Sequence, residues 1–226
     1  MNIEILLGKT TSHLVPLEGT KFLLNQKCLH DFLKLQRDAR EAGFDLQMAS
    51  AFRDYNRQLR IWNMKAQGEK PVFDDQGTQL DISLLSPKEI MFSILRWSAI
   101  PGCSRHHWGT DMDVFDARTQ NASEVKLIPA ECEGNGPASG LHSWLDSIMS
   151  QDAAYGFYRP YRTDRGGVAP ERWHLSYHPV SRRIINDFTY SIFKKNLEES
   201  DLLLKTELLE NAFELYERYF INIDLP

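Results

Sequence analysis

The sequence is short of cysteine, of basic excess, of repeats and of long apolar runs. Its three cysteines, Cys28, Cys103 and Cys132, are odd in number and far apart, and none forms a C-x-x-C pair. That argues against a disulfide framework and fits a reducing compartment. No stretch approaches the roughly 20 consecutive apolar residues of a membrane-spanning helix. The net charge of −5 argues against nucleic acid or an anionic membrane surface as the main partner, since both reward a basic face. The first residues, MNIEILLGKTTSHLVPLEG, hold one short apolar run, Ile3–Leu7, broken by Glu4. They lack a basic segment, a long apolar core and a small-residue cleavage site. The chain as it stands is therefore expected in the cytoplasm, or in the periplasm if a leader has been removed.

What is present suits one globular domain with a buried core, with or without an extension: 226 residues, 42% hydrophobic and 25% charged. Residues 25–41 carry Cys28, Phe32, Leu35 and Ala39 at helical spacing, with Gly43 as a stop. FDLQMASAF (44–52) alternates like a strand, RDYNRQLRIWNMKAQG (53–68) reads as a helix, and residues 69–81 read as a loop. Ser86, Pro87 and Glu89 open a further helix as N-cap, first residue and third residue of a capping box, and that helix runs to about Ser98. TDMDVFD (110–116) alternates again, with Asp111, Asp113 and Phe115 on one face. Residues 121–140 read as a long loop, 141–154 as a helix, and WHLSY (173–177) as a short strand. Residues 181–220 are charged, helix-periodic and free of Gly and Pro. They read as two helices that pack on the domain or on a partner. The whole predicts a mixed α+β fold.

Three separated pieces carry the chemistry: SAFRDYNRQ (50–58), SRHHWGTDMDVFD (104–116) and ERWHLSY (171–177). A catalytic zinc site takes about three protein ligands and keeps a position for water. The last two pieces supply the types: His106 or His107, Asp111 or Asp113, and His174. Glu171, three residues before His174, is placed to take a proton from a water whose pKa the metal lowers. Arg53 is placed to stabilise an oxyanion formed at an attacked carbonyl. The bland readings are a surface histidine pair, core tryptophans at 108 and 173, and a solvated helix start at Arg53-Asp54. Cys103 and His106 also form a C-x-x-H half-site for structural zinc, but no second pair completes it.

Together the three pieces resemble the VanY-type D-alanyl-D-alanine carboxypeptidases, zinc peptidases related to VanX dipeptidases, lysostaphin-type endopeptidases and hedgehog domains. The pattern S-x-H-x-x-G-x-A-x-D lies on Ser104, His106, Gly109, Asp111 and Asp113, E-x-W-H on Glu171, Trp173 and His174, and S-x-x-R with a later Gln on Ser50, Arg53 and Gln58. The resemblance spans Ser50 to Tyr177. It implies a small central antiparallel sheet flanked by helices over residues 1–180, with 181–226 as an added C-terminal helical extension. It implies Zn2+ held by His106, Asp113 and His174, with Glu171 as general base and Arg53 polarising the scissile carbonyl. It implies that Ser50, Gln58 and Ser104 line the substrate cleft. Asp111 departs from the family's usual Ala, and is read either as a partner to a ligand histidine or as negative charge facing substrate.

The resemblance further implies a peptidoglycan stem peptide or muropeptide as substrate and loss of its terminal D-alanine by attack of metal-activated water. The bond is D,D or L,D, and a cytoplasmic location favours L,D trimming of recycled tetrapeptides. The acidic loop FDDQ (73–76), or Asp111, is a candidate to meet the free amine of diaminopimelate. The competing readings are a peptidoglycan endopeptidase and a hedgehog-like zinc-containing binding module without catalysis. A homodimer through the C-terminal helices is a further expectation.

Overall fold

The computed structural model describes residues 2–226. In chain order it runs α1 (Ile3–Leu6), β1 (Leu14–Pro16), β2 (Leu23–Asn25), α2 (Gln26–Glu41), β3 (Leu46–Ser50) and α3 (Tyr55–Ala66). Next come α4 (Pro87–Trp97), a 3-10 turn (Arg105–Trp108), β4 (Asp111–Asp116), α5 (Pro129–Cys132), α6 (Ser139–Ser150), β5 (Phe157–Tyr158) and β6 (His174–Tyr177). The C-terminal part is α7 (His178–Asp187), α8 (Tyr190–Glu199), α9 (Lys205–Glu210), α10 (Ala212–Leu215) and a π turn (Tyr216–Phe220). Helices thus flank small antiparallel sheets, as the mixed fold requires.

Polar caps set where the helices begin. Asn25 accepts from the Lys27 N–H, Asp54 from the Arg57 N–H, and Ser86 and Glu89 exchange the two bonds of a capping box. The cap at Asp54 leaves Arg53 outside α3, although the sequence pattern starts that helix at Arg53. The 121–140 stretch is not all loop either: Pro129 opens the one-turn α5, and α6 starts at Ser139 and ends at Ser150.

The main sheet has the order β3-β4-β6-β5 with every pairing antiparallel. Strand β4 is central and buried along its whole length, so its alternation does not separate core from solvent. It separates two interiors. Met112 and Val114, with Leu175 of β6, enter one apolar core with Phe32, Leu35 and Leu145. Asp111 and Asp113 point the other way.

A second core joins Trp62 of α3, Met91 and Ile94 of α4 and Trp108 to Phe188, Phe193, Leu215 and Phe220. The residues after 180 therefore pack on the rest of the chain. They form four helices and a π turn rather than the two helices expected. Thr189 caps α8 anew, α8 stops at Ser200, and Leu204 sits at φ 61°, a left-handed conformation that separates α8 from α9. Charged helical periodicity alone does not reveal these breaks, because none of them uses Gly or Pro.

Gly109 closes the 3-10 turn at φ 66°. A Cβ there would stand 2.4 Å from Leu14 Cδ2 and 2.8 Å from the Asn25 nitrogen. Gly109→Ala is expected to cost about 2 kcal/mol of stability through backbone strain and overpacking, measured by urea unfolding.

Candidate active site

The site grows from strand register. Asp113 of β4 lies directly across from His174 of β6 and, on its other side, from Ser50 of β3. A bulge between Met48 and Ser50 shifts the β3 register at that point. The 3-10 turn then brings His106 over Asp113, with His106 Nε2 at 3.3 Å from Asp113 Oδ2. His174 Nδ1 is also 3.3 Å from Asp113, at Oδ1. All three residues are buried, and their ligand atoms lie within 4.8 Å of one another.

Hydrogen bonds sort the two neighbouring histidines. His106 Nδ1 is 2.9 Å from the Ala51 carbonyl, which only accepts, so Nδ1 carries the proton and Nε2 keeps its lone pair toward Asp113. His107 is fully buried and uses both nitrogens on backbone. Nδ1 donates to the Arg53 carbonyl, and Nε2 accepts from the Gly102 N–H at 3.0 Å. Burial pushes its pKa down to about 3 against a weaker upward pull from the Arg53 carbonyl, so it stays neutral. His107 has no lone pair left for a metal and ties the 3-10 turn to the segment that carries Arg53.

Asp111 sits behind the site, fully buried. Its Oδ1 accepts from His174 Nε2 at 3.0 Å and from Arg105 Nε at 2.7 Å, and its Oδ2 accepts from Thr110 Oγ1 at 2.6 Å. Arg105 continues to Ser176 Oγ and the Tyr158 hydroxyl and stacks over Trp108. Burial alone would raise the Asp111 pKa, but Arg105, His174 and Thr110 together hold it well below the usual carboxylate range. Of the two sequence readings, Asp111 as partner to a ligand histidine agrees with these contacts. Its carboxylate does not face the cleft.

With Nε2 committed to Asp111, His174 Nδ1 is buried with no hydrogen-bond partner. It faces Asp113 Oδ1 and, at 3.4 Å, Glu171 Oε2. Burial disfavours a charge on His174, yet Asp111, Asp113 and Glu171 raise its pKa well above the usual value. The site thus draws positive charge into its centre. Two imidazoles, each turning one ring nitrogen to Asp113, and one carboxylate make a three-residue donor set suited to zinc, which binds imidazole in its neutral form.

These residues open into a cavity of about 820 Å³ that is also lined by Arg53, Ser104, Tyr161, Glu171 and Trp173. Arg53 donates to Gln58 Oε1 at 2.7 Å and to Ser50 Oγ at 3.4 Å, while its buried Nε lacks a partner. Gln58 is fully buried and donates in turn to the Ala99 carbonyl. Neither Ser50 nor Gln58 lines the cavity. Both hold Arg53, whereas Ser104 reaches the cleft itself. In the acidic loop, Asp75 pairs with Arg96 at 2.8 Å, Asp74 accepts from the Gln76 and Thr78 N–H groups, and Phe73 and Gln76 line the cavity.

Sequence reasoning passed over Arg105, Tyr161 and Lys65. Tyr161 holds its ring 5.0 Å from the His174 ring and accepts the Glu171 N–H at its carbonyl. Lys65 had a readable signal. Gln58, Trp62 and Lys65 recur at i, i+4 and i+7, which puts a lysine on the buried stripe of α3. Asp111→Asn is expected to destabilise the protein by about 3–5 kcal/mol, because it leaves the buried Arg105 charge unpaired. The shift of the urea midpoint at constant m-value measures it.

A family model described as VanY, D-alanyl-D-alanine carboxypeptidase, matches residues 21–180. Two Haemophilus influenzae proteins, each described only as uncharacterized, are similar to the chain. One is 44% identical over 100 residues, covering 43% of this chain and 68% of the relative. The other is 27% identical over 124 residues, covering 54% and 93%. Among solved structures, VanYB in complex with D-alanine-D-alanine aligns at TM-score 0.54 and 19% identity, covering 86% of this chain and 87% of that one. A mutant of the VanY D,D-pentapeptidase in complex with Zn(II) aligns at TM-score 0.53 and 18% identity, covering 88% and 92%. At these identities the two structures establish a shared fold. With the family model spanning 21–180 of 226 residues, the chain belongs to the VanY family of D-alanyl-D-alanine carboxypeptidases.

Proposed function

We propose that the protein is a zinc-dependent carboxypeptidase that removes the C-terminal D-alanine from peptidoglycan stem peptides. The observation that carries this reading is the His174 Nδ1 nitrogen, buried without a hydrogen-bond partner and facing Asp113 and Glu171 beside His106. His106, Asp113 and His174 would hold the zinc. When bound, zinc supplies Lewis-acid polarisation and lowers the pKa of water.

The remaining steps belong to the chain's own groups. Glu171 is on the cavity wall with its side chain 14% exposed, so it reaches solvent and the site together. It takes a proton from the attacking water and returns it to the leaving amine of D-alanine. Arg53, braced by Gln58 and Ser50, lines the cavity and stabilises the carbonyl oxygen as charge develops there. Asp111 fixes the His174 tautomer and ring orientation. Ser104 contributes a hydroxyl to the cleft wall.

The D,D and L,D bonds both end in a free D-alanine and use the same chemistry, so product analysis separates them. Incubation with defined tri-, tetra- and pentapeptide muropeptides, with products weighed by mass spectrometry, is expected to show loss of one alanine. Loss from the pentapeptide marks D,D activity and loss from the tetrapeptide marks L,D activity. An endopeptidase would instead split dimeric muropeptides and release no free alanine. A zinc-bound protein that releases nothing would favour the binding-module reading.

Two substitution sets test the roles. Glu171→Ala is expected to keep one metal per chain by elemental analysis while D-alanine release falls by about 10²–10⁴-fold. His106→Ala is expected to lose the metal, whereas His107→Ala keeps it and lowers the thermal midpoint. Equal metal loss in both histidine variants would undo the assignment.

A further inference from the structure

The cleft holds a cation that the chemistry above does not use. Lys65 lies in the last turn of α3 and lines the same cavity as Arg53, Glu171 and the three candidate ligands. Its Nζ donates to Ser98 Oγ at 2.7 Å, and Ser98 also lines the cavity. Among the described residues, no carboxylate comes within ion-pair distance of Lys65.

That arrangement is costly for a structural lysine. A partly buried ammonium normally gains a carboxylate or reaches bulk water. Lys65 does neither fully. Burial, followed by repulsion from Lys70 and Arg53, lowers its pKa to about 8, so the ammonium is still mostly charged at neutral pH. Glu171 contributes only a weak opposing pull. Ser98 fixes the ammonium through one donor proton and leaves two others for a ligand. An unpaired, fixed cation in a water-filled cleft with an apolar wall (Trp97 and Ile128 among its lining) suits an anionic group that arrives with the substrate.

We infer that Lys65, held by Ser98, is a specificity-determining residue of this cleft that binds a free carboxylate of the peptide substrate. The inference rests on the peptidase reading for the identity of the ligand as a peptide. Stem peptides offer two sources of the same chemistry: the terminal carboxylate of the departing D-alanine, and side-chain carboxylates further up the chain. Arg53 is committed to Ser50 and Gln58 through two of its nitrogens, and Lys126 on the same lining is exposed, which leaves Lys65 as the half-buried, fixed cation for such a group.

The test uses the zinc-loaded protein. Binding is measured by calorimetry in the Glu171→Ala background, so that no turnover intervenes, with one stem pentapeptide in four forms. These are the free acid, the C-terminal amide, the form with its internal carboxylates amidated, and the fully amidated form. Lys65→Met is expected to weaken binding of the free acid about tenfold or more, the size of a charged hydrogen bond, and to leave the fully amidated peptide unaffected. Loss of the effect in the C-terminal amide assigns the terminal carboxylate, and loss in the internally amidated peptide assigns the upstream group. In the active protein, the same substitution raises KM and leaves kcat nearly unchanged. Lys65→Arg, which keeps the charge, retains the preference for the free acid. A folded Lys65→Met protein that binds all four forms as its parent does would overturn the inference, as would an equal loss across all four. If the protein releases no D-alanine from any stem peptide, the carboxypeptidase reading falls, while the binding comparison still decides Lys65.

Discussion

The site depends on one cross-strand pair, Asp113 on β4 facing His174 on β6. Polar side chains in the middle of a buried sheet are expensive unless each finds a partner. Here the partners come from the same register. Shifting β4 by one residue would send Asp111 and Asp113 into the apolar core and Met112 and Val114 into the cleft. The apolar packing of Met112, Val114 and Leu175 therefore holds the donor set in place. Core and site are two faces of the same three strands.

Behind that pair, charge is arranged in layers. Asp113 lies between the two imidazoles, Asp111 lies behind His174, and Arg105 neutralises Asp111 from the protein interior. The order matters because each buried charge is compensated by the next. Arg105 ends on Ser176 and Tyr158 of the neighbouring strands, so the relay closes on the sheet itself. On the cleft side, a chain of hydrogen bonds does the same for Arg53, running through Gln58 to the Ala99 carbonyl.

The C-terminal helices add a brace. Asn196 donates to the Pro101 carbonyl beside the 3-10 turn, and the Ser200 hydroxyl meets the Tyr55 hydroxyl at the start of α3. Trp62 of α3 donates to the Leu203 carbonyl. At the far end, the buried Asp224 carboxylate accepts from the Arg162 and Thr163 N–H groups. That bond anchors the loop between β5 and β6, which carries Tyr161 and Glu171. The extension thus contacts α3, the segment before the 3-10 turn and the loop between β5 and β6.

Much of this was legible in the chain itself. The cap at Ser86 and the alternation of residues 110–116 follow from local chemistry, where a residue's neighbours in sequence are its neighbours in space. His174, Glu171 and Arg53 were nameable as candidates from their residue types, whereas the choice of His106 over His107 and of Asp113 over Asp111 came from the family resemblance. The helix breaks after residue 187 were not, since they rest on a Thr cap and a left-handed leucine rather than on Gly or Pro. Nor were the duties of Asp111, His107, Gln58 and Lys65. Each of these is a polar group whose meaning is its partner, and the partners of Asp111, His107 and Gln58 include groups 41 to 63 positions away. The sequence by itself determined which groups could do the chemistry. Only the tertiary structure decided which face solvent and which face one another, because burial and hydrogen-bond partnership do not exist until distant segments pack.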